Sequence, residues 1–541
     1  MNKIKIFLIS IFFISFIIRV YLSWNYPSLV WDEAALGYNA FSILQTGRDE
    51  YGKFLPLILK SFGDYKPGLY AYLAIPFVYI LGLNDLSIRL PSIILGSLTP
   101  ILLYFLICQI DPRKIKLASI ATILLAFNPY NIHFSKTAWE TNILTFELVL
   151  ASYYFFKYIN TKKNSSLFLS ALVFGTTLYT YQASKMISLF LIVILVILSA
   201  TKDLAKRKLS FFKFFVFPLF IFALPIVYGM FFSQDSNRLK VVSIFSYSRS
   251  QQETSQIISE SNNFDYLIFH NPVIFYLREI STRYFNHFST KFLVFEGDWQ
   301  NARHSAPYIG VLLYPSIIFL VIGFFTSLAK KQDKMNLFFL FWLLLAPILA
   351  ALTRDIIQPV RSMSFSIPLI YFTAQGAIYV LNFIKNKTFL VFIILTYLLS
   401  FIYYSDLYYN HMVKKSPSDF LYGYKQAVTY VSTRQYQYDH IYFTDFYGQP
   451  YIFYLFYSQY SPLKYQSQAK LTENISGDTG TVEKIDNIQF VPINFAAYKQ
   501  QANTLIIISN DEILRQGLDK NQFTALSPIN NISTFYAYST K

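Results

Sequence analysis

The chain of 541 residues is 54% hydrophobic and 19% aromatic but only 14% charged, against roughly 25% charged in a soluble domain, so composition excludes a soluble globular protein and points to an integral membrane protein. The net charge of +16 does not make it a nucleic-acid binder: the basic residues form no stripe or tail but fall in short clusters between apolar runs, as the cytoplasmic loops of a polytopic protein require. Its single cysteine, Cys108, lies inside an apolar run, so no intramolecular disulfide can form.

In chain order, residues 4 to 24 follow Lys3 and Lys5 and predict a first span of about 20 residues, enough to cross a ~30 Å hydrocarbon core. The apolar run is longer than that of a signal peptide, and Trp24-Asn25-Tyr26-Pro27 is no cleavage site, so an uncleaved helix with its N-terminus in the cytoplasm is expected. The stretch that follows opens with Trp31-Asp32-Glu33 and closes with Asp64-Tyr65-Lys66-Pro67, placing acids and a lysine between long apolar runs, where membrane meets water. Within it, residues 34 to 46 carry apolar side chains at helical spacing and Gly47 ends them, which predicts a helix lying along the interface. Residues 67 to 83 are at the lower length limit for a span. Basic loops decide the matter: with 67 to 83 in the interface, spans run near 88–109, 117–134, 142–158, 167–182, 186–200, 211–232, 307–328, 336–352, 362–382 and 388–405. Arg113, Lys114, Lys116, Lys162, Lys163, Lys202, Lys206, Arg207, Lys208, Lys330, Lys331, Lys334, Lys385 and Lys387 then all face the cytoplasm, whereas a span at 67 to 83 would move every one of them outside.

The expected fold class is therefore a polytopic α-helical membrane protein with about eleven spans, the N-terminus inside and the C-terminus outside. Three outer segments remain: 25 to 87, about 233 to 306, and a tail from 406. The tail alternates β-prone runs such as His440-Ile441-Tyr442-Phe443-Thr444 and Thr504-Leu505-Ile506-Ile507-Ile508-Ser509 with polar and helical stretches, including Tyr424 to Tyr430, and reads as a small α/β domain. Domains are accordingly placed at 1–405, transmembrane, and 406–541, extracytoplasmic. Tyr447, Tyr451, Tyr454 and Phe456 of the tail could stack on sugars, but packing in a small core is the commoner use of such residues.

Polar groups gather at the outer ends of the spans. Besides Asp32, Glu33, Asp64 and Lys66, the loop after 134 carries Lys136 and Glu140, the turn near 183 carries Gln182 and Lys185, and the loop after 352 carries Arg354, Asp355 and Arg361. Lys185, Arg354 and Arg361 run against the positive-inside bias. Glu147 falls seven residues after Glu140 on the same helix face, inside the membrane, where a carboxylate costs roughly 2.5 to 3.5 kcal/mol and is kept for a structural partner, a lysine or arginine, or for a task. Outer-face cations held by short loops suit a phosphate attached to a lipid, arginine binding it in bidentate fashion and lysine as a point charge. A carboxylate within reach can take a proton from an attacking hydroxyl, while the cations stabilise charge on the departing phosphate. These are the parts for moving a group from a lipid phosphate to an alcohol. No glycine-rich nucleotide loop is present, so the donor need not be a nucleotide. The rival from another class is a transporter or flippase for a lipid-linked or small solute, but such folds show internal repeats and midplane charges, whereas most acids here gather at one face.

Trp31-Asp32-Glu33 with the amphipathic helix after it, Lys66-Pro67 before a second interfacial helix, Ile88-Arg89-Leu90-Pro91, and Glu140 after Asn128-Pro129 together resemble the GT-C membrane glycosyltransferases of the protein O-mannosyltransferase and aminoarabinose-lipid A transferase type. The resemblance covers roughly residues 1 to 405, and the tail resembles the outer domain of many bacterial members. It implies an inverting glycosyltransferase that takes a monosaccharide from a polyprenyl-phosphate donor to a hydroxyl acceptor (protein, lipid or cell-surface glycan) on the outer side of the cytoplasmic membrane, with membrane lipid but no nucleic acid as partner. By the same resemblance Asp32 is the general base, Glu33 its neighbour and Lys66 the lysine at the lipid phosphate, with Lys185, Arg354 and Arg361 as further phosphate-binding cations. Asp64, Tyr65, Arg303 and His304 are implied at the sugar or acceptor. Glu140 stands where many members have aspartate; being longer, it could act only in hydrogen bonding. Asp32, Glu33 and Glu140 are oxygen donors of the kind a hard divalent cation takes. Yet the first loop has no Asp-x-Asp pair, and His133, His270, His287, His304, His411 and His440 are scattered, so no cofactor and a metal-free mechanism are expected.

Overall fold

The computed structural model describes residues 2–199, 207–232, 242–329, 333–383, 386–472, 480–529 and 532–541. Lys202, Lys206, Lys330, Lys331 and Lys385, all expected in cytoplasmic loops, lie outside these residues, as does the side chain of Asp64. Among the described residues five helices are long and apolar enough to cross a membrane: Asp85–Ile110, Lys208–Tyr228, Lys334–Ala351, Pro359–Phe383 and Lys387–Lys415. A sixth counts if Ile115–Ala126 and Pro129–Lys136, bent by 53° at their junction, form one span. Leu69–Leu81, Ser184–Leu198 and Ser316–Leu328 are apolar but shorter.

Three of the expected apolar segments depart from a single long straight helix for local reasons. Between Ala126 and Pro129 the proline withholds a backbone donor and the Asn128 side chain accepts from Asn131 N at 3.0 Å, starting a new helix in a new direction. The expected span at 307–328 becomes helical only at Ser316. Its first residues instead donate backbone hydrogen bonds sideways, Gly310 N to Val294 O at 2.8 Å and Leu312 N to Leu293 O at 2.9 Å. Gly310 allows that approach, since a Cβ there would sit 2.3 Å from Val294 N. Residues 67–83, expected in the interface, form Leu69–Leu81, a 13-residue helix; at 1.5 Å per residue it reaches only about 20 Å.

The chain divides into two compact units. The first, Met1–Ile18 with Leu95–Ser135 and Glu140–Ser405, is built of helices. Its tightest helix crossing pairs Ser316–Leu328 with Ser366–Phe383, where a Cβ on Gly323 would lie 1.8 Å from Phe372 O and one on Gly376 1.8 Å from Phe319 O. Small residues are what lets two backbones approach so closely in an apolar medium.

The second unit comprises Arg19–Ile94, Lys136–Trp139 and Asp406–Lys541, so the first outer loop and the tail form one body. Its six-stranded sheet has the spatial order Lys484–Ile485, Ile488–Val491, His440–Thr444, Thr504–Ser509, Phe535–Ser539, Thr524–Ala525. His440–Thr444 runs parallel to both its neighbours, and the outer pairs are antiparallel. The strands read from the sequence at 440–444 and 504–509 are found at those residues, and the expected helix at 424–430 spans Tyr424–Ser432. Tyr442, Ile493, Phe495, Ile506, Ile508, Ile513, Phe523 and Tyr536 form its core on one face of the sheet. Tyr451, Tyr454 and Phe456 are buried in packing and present no face to a sugar.

Within this unit the helix Trp31–Thr46 lies against the tail helix Pro450–Tyr457. Gly37 makes room: a Cβ there would meet Phe456 Cε2 at 2.6 Å and Ile88 Cγ2 at 2.7 Å. Gln466 Nε2 donates to Ser42 Oγ at 3.1 Å and to Asp49 O at 2.9 Å, and Tyr38 hydroxyl donates to Tyr460 O at 3.0 Å.

Candidate active site

The site is built on the first turn of the helix Trp31–Thr46. Glu33, third in that helix, reaches back and accepts from Val30 N at 3.2 Å, the half of a capping box that a glutamate supplies. Its two oxygens also take Arg89 Nε at 2.8 Å, Arg89 Nη2 at 2.7 Å and Ala138 N at 2.8 Å. Arg89 Nη1 donates to Ser23 O and Pro27 O, both at 2.9 Å. Glu33 and Arg89 are thus a fully buried, bidentate pair whose remaining polar atoms are bonded, the geometry in which a buried ion pair recovers its desolvation cost.

Asp32, one residue earlier, has a different environment. It keeps 30% of its side-chain exposure and pairs with the Lys66 ammonium, which is 14% exposed. A carboxylate in the first helical turn is favoured by the helix dipole. Lys66 is delivered by a hairpin that the sequence analysis did not identify: Ile58–Ser61 pairs antiparallel with Asp64–Pro67, in register Leu59 with Lys66. Phe62 and Gly63 form its two-residue turn, with φ of 55° and 82°, the double left-handed geometry of a type I′ turn. The signal available in sequence was the Phe62-Gly63 pair between two short β-prone runs. Lys66 also sits 5.3 Å from the centroid of the Phe62 ring. Tyr65 lies in the same strand, opposite Lys60. The tail approaches as well: a Cβ on Gly448 would lie 3.6 Å from the Trp31 indole, next to Asp32.

Lys136, read as an outer-face cation, is a structural pin. Its ammonium donates to the carbonyls of Arg19 and Tyr21 and, at 3.0 Å, to Tyr409 hydroxyl. It also lies 5.8 and 5.1 Å from the Tyr408 and Tyr409 ring centroids. Sequence reasoning quoted Arg89 but did not pair it with Glu33, and it passed over Glu50, a wholly buried carboxyl in the first loop neither of whose oxygens makes a hydrogen bond.

The remaining candidates belong to the other unit. Glu140 is the buried first residue of Glu140–Thr161. Glu147 accepts from Thr180 hydroxyl at 2.6 Å, a threonine in place of the lysine or arginine expected of a structural partner. Lys185 donates to Gln182 Oε1 at 3.0 Å. Arg354 Nη1 donates to Tyr247 hydroxyl at 3.0 Å. Arg361 Nη1 binds Asp355 at 3.0 Å and Thr353 hydroxyl at 3.1 Å. His304 Nδ1 bonds Asp298 at 2.7 Å, and Arg303 accepts on its carbonyl from His133 Nε2 at 2.8 Å while its Nε reaches Asn301 Oδ1 at 3.3 Å. Asp32, Glu33 and Lys66 are brought together in one unit, as are Arg361 and Asp355 in the other. As for a divalent ion, Glu33 has both oxygens committed to Arg89 and backbone donors, and among the described residues no three His, Cys, Asp or Glu side chains gather as a metal site. The donor set does not fit one.

Comparisons with known proteins bear on the family and the fold. Residues 9–235 match the family model described as dolichyl-phosphate-mannose-protein mannosyltransferase. No curated protein matches the chain's sequence. Among solved structures, ArnT from Cupriavidus metallidurans in the apo state is similar over 100% of this chain and 98% of its own, at 10% identity and a TM-score of 0.51. The same protein bound to undecaprenyl phosphate gives equal coverage and identity and a TM-score of 0.52. At such identity the likeness speaks to the fold, which the tail shares. The chain thus has the fold of ArnT over its whole length, and residues 9–235, which include the helix bearing Asp32 and the hairpin bearing Lys66, match the mannosyltransferase family model.

Proposed function

We propose that the protein transfers a monosaccharide from a polyprenyl-phosphate donor to a hydroxyl acceptor on the outer side of the cytoplasmic membrane, with inversion, Asp32 serving as general base. The observation that carries this reading is the division of labour between adjacent acids. Glu33 is locked to Arg89 and backbone donors, while Asp32 stays partly exposed against Lys66. In the reaction the acceptor oxygen attacks the anomeric carbon from the face opposite the phosphate and its proton passes to the Asp32 carboxylate. The sugar–oxygen bond to phosphate breaks, its electron pair stays on the phosphate, and Lys66 stabilises the charge that appears there. Glu33 and Arg89 position Asp32 by fixing the first helical turn.

Lys185, Arg354 and Arg361 serve the donor phosphate, and Asp64, Tyr65, Arg303 and His304 the sugar or acceptor. Glu140 assists as a second acid or as a hydrogen-bond partner. Two observations support the outer placement: the segment 19–94 and the tail belong to one unit, and the basic clusters fall in the loops expected on the other side. The bound lipid named for the Cupriavidus ArnT structure, undecaprenyl phosphate, supports a polyprenyl carrier here.

The test uses full-length protein in nanodiscs with radiolabelled polyprenyl-phosphate sugars. Release of polyprenyl phosphate by wild type, even with water as acceptor, that falls by roughly 10²–10⁴ in Asp32→Asn and is weakened in Lys66→Ala supports the reading. A wild-type protein that releases none, while a labelled lipid or solute crosses proteoliposomes, overturns it in favour of transport.

A further inference from the structure

Glu50 has no part in the chemistry above, yet it occupies the least ordinary position in the first outer loop. It is 0% exposed, and neither carboxyl oxygen makes a hydrogen bond. Its neighbour Asp49 is spent on the turn, accepting from Tyr51 N at 3.0 Å and Lys53 N at 2.9 Å. The Glu50 backbone N–H is pinned to Asn39 Oδ1 at 3.0 Å, so the side chain is carried on a fixed backbone. The groups that act electrostatically on the carboxyl come from every element around it: Tyr38 and Asn39 of the helix Trp31–Thr46, Asp49 and Tyr51 of its own loop, Ser61 and Lys66 of the hairpin, and Tyr451 and Tyr465 of the tail. The cation acting on it is Lys66, the residue paired with Asp32.

A carboxylate wholly buried without a well-formed hydrogen bond is costly, and the protonated form removes most of that cost. We propose that Glu50 is a positioning residue held as a neutral carboxylic acid, which leaves the Lys66 ammonium to Asp32 and to an anionic ligand, and whose ionisation draws Lys66 away and turns the site off. Burial, reinforced by Asp49, raises the Glu50 carboxyl from 4.5 to about 8, against the opposing pull of Asn39, Lys66 and Ser61. Lys66 is paired with Asp32 and its charge also acts on Glu50, so in this proposal the charge on the second acid sets how much of Lys66 the first retains. The inference deepens the reading of this site as a glycosyltransferase centre, and it has a readout that needs no substrate.

That readout is the carbonyl stretch of a protonated carboxyl by infrared difference spectroscopy on the full-length protein. Wild type shows the band at pH 7 and Glu50→Gln lacks it; in wild type the band titrates away near pH 8, and in Lys66→Ala its midpoint moves to higher pH because the cation that favoured ionisation is gone. Absence of the band in wild type, or an unmoved midpoint in Lys66→Ala, overturns the proposal. Should Glu50→Gln fail to fold, the Lys66→Ala shift decides alone. The second readout is donor turnover: the ratio of rates at pH 9 and pH 7 rises several-fold in Glu50→Gln relative to wild type, and an unchanged ratio overturns the switch. If the infrared titrations behave as stated and no donor turns over, the glycosyltransferase reading fails while the Glu50–Lys66 coupling stands.

Discussion

Two adjacent carboxylates with opposite fates set the residue-scale expectations. Glu33 is 2% exposed and Arg89 0%, so removing either partner strands a buried charge. Arg89→Ala is expected to cost about 3–5 kcal/mol, and Arg89→Lys most of that, because an ammonium cannot reproduce the bidentate fork or the two carbonyl contacts. Thermal unfolding in detergent micelles measures this directly. Asp32→Asn should leave the unfolding midpoint nearly unmoved while lowering turnover by roughly 10²–10⁴, which separates the proposed base from the clamp beside it. Glu50 gives a pH prediction with a definite sign. Its folded value of about 8 lies above the ordinary 4.5, so between those values the folded chain holds a proton that the unfolded chain has lost. The stability this proton contributes is complete below pH 4.5 and is lost as pH rises through about 8, at about 1.4 kcal/mol per unit at most. Glu50→Gln should flatten that slope, as read by midpoints measured from pH 5 to pH 9.

At the scale of elements, the hairpin that carries Lys66 depends on its turn. Gly63 has φ of 82°, so Gly63→Val forces a branched side chain into a left-handed position and should cost at least about 1 kcal/mol. A parallel loss of donor affinity, with Lys66 no longer held in register, is the functional counterpart. Gly37→Leu should separate the helix Trp31–Thr46 from Phe456, with partial recovery in the double variant Gly37→Leu with Phe456→Ala; a double-mutant cycle on unfolding midpoints checks the coupling. Why some elements could be read in advance follows from the same physics. Helix Trp31–Thr46 carried its own punctuation, Glu33 at its start and Gly47 at φ 68° at its end, and strand Thr504–Ser509 declared itself as a short, largely β-branched apolar run that is buried throughout. The hairpin escaped because its strands are four residues each and lack alternation strong enough to stand out between apolar helices. The Glu33–Arg89 clamp escaped for another reason: its partners are 56 residues apart, and only tertiary packing says which of many cations an acid meets.

For the whole molecule, composition and the placement of basic loops made membrane character, the helical body and an α/β tail readable, because those are properties of long stretches. The points where apolar runs bend or begin late were not, because proline, asparagine and sideways backbone bonding break them where hydropathy averages over several residues. Nor was the membership of the second unit. Arg19–Ile94 folds with Asp406–Lys541, through Gly37 against Phe456, Gln466 on Ser42 and Asp49, and Lys425 toward Asp85 at 3.5 Å. Truncation before Asp406 should therefore cost more than an accessory domain would: the helix bearing Asp32 loses the surface it is buried against. We expect the truncated chain to insert but to show protease-sensitive bonds between residues 31 and 66 and no turnover, measured by limited proteolysis and the same donor assay.

That shared unit imposes an order on biogenesis. The helix bearing Asp32 emerges from the ribosome early, while its packing partner Pro450–Tyr457 is still some four hundred residues from synthesis. At about 5–20 residues per second, translation leaves the first outer loop waiting on the order of tens of seconds before its contacts can close. During that interval an apolar helix face, Gly37 at its centre, stands without its cover. The helix that carries Asp32 can be covered only once the last part of the chain has been made, so a nascent or prematurely ended chain leaves the Asp32–Lys66 pair on an unfinished fold.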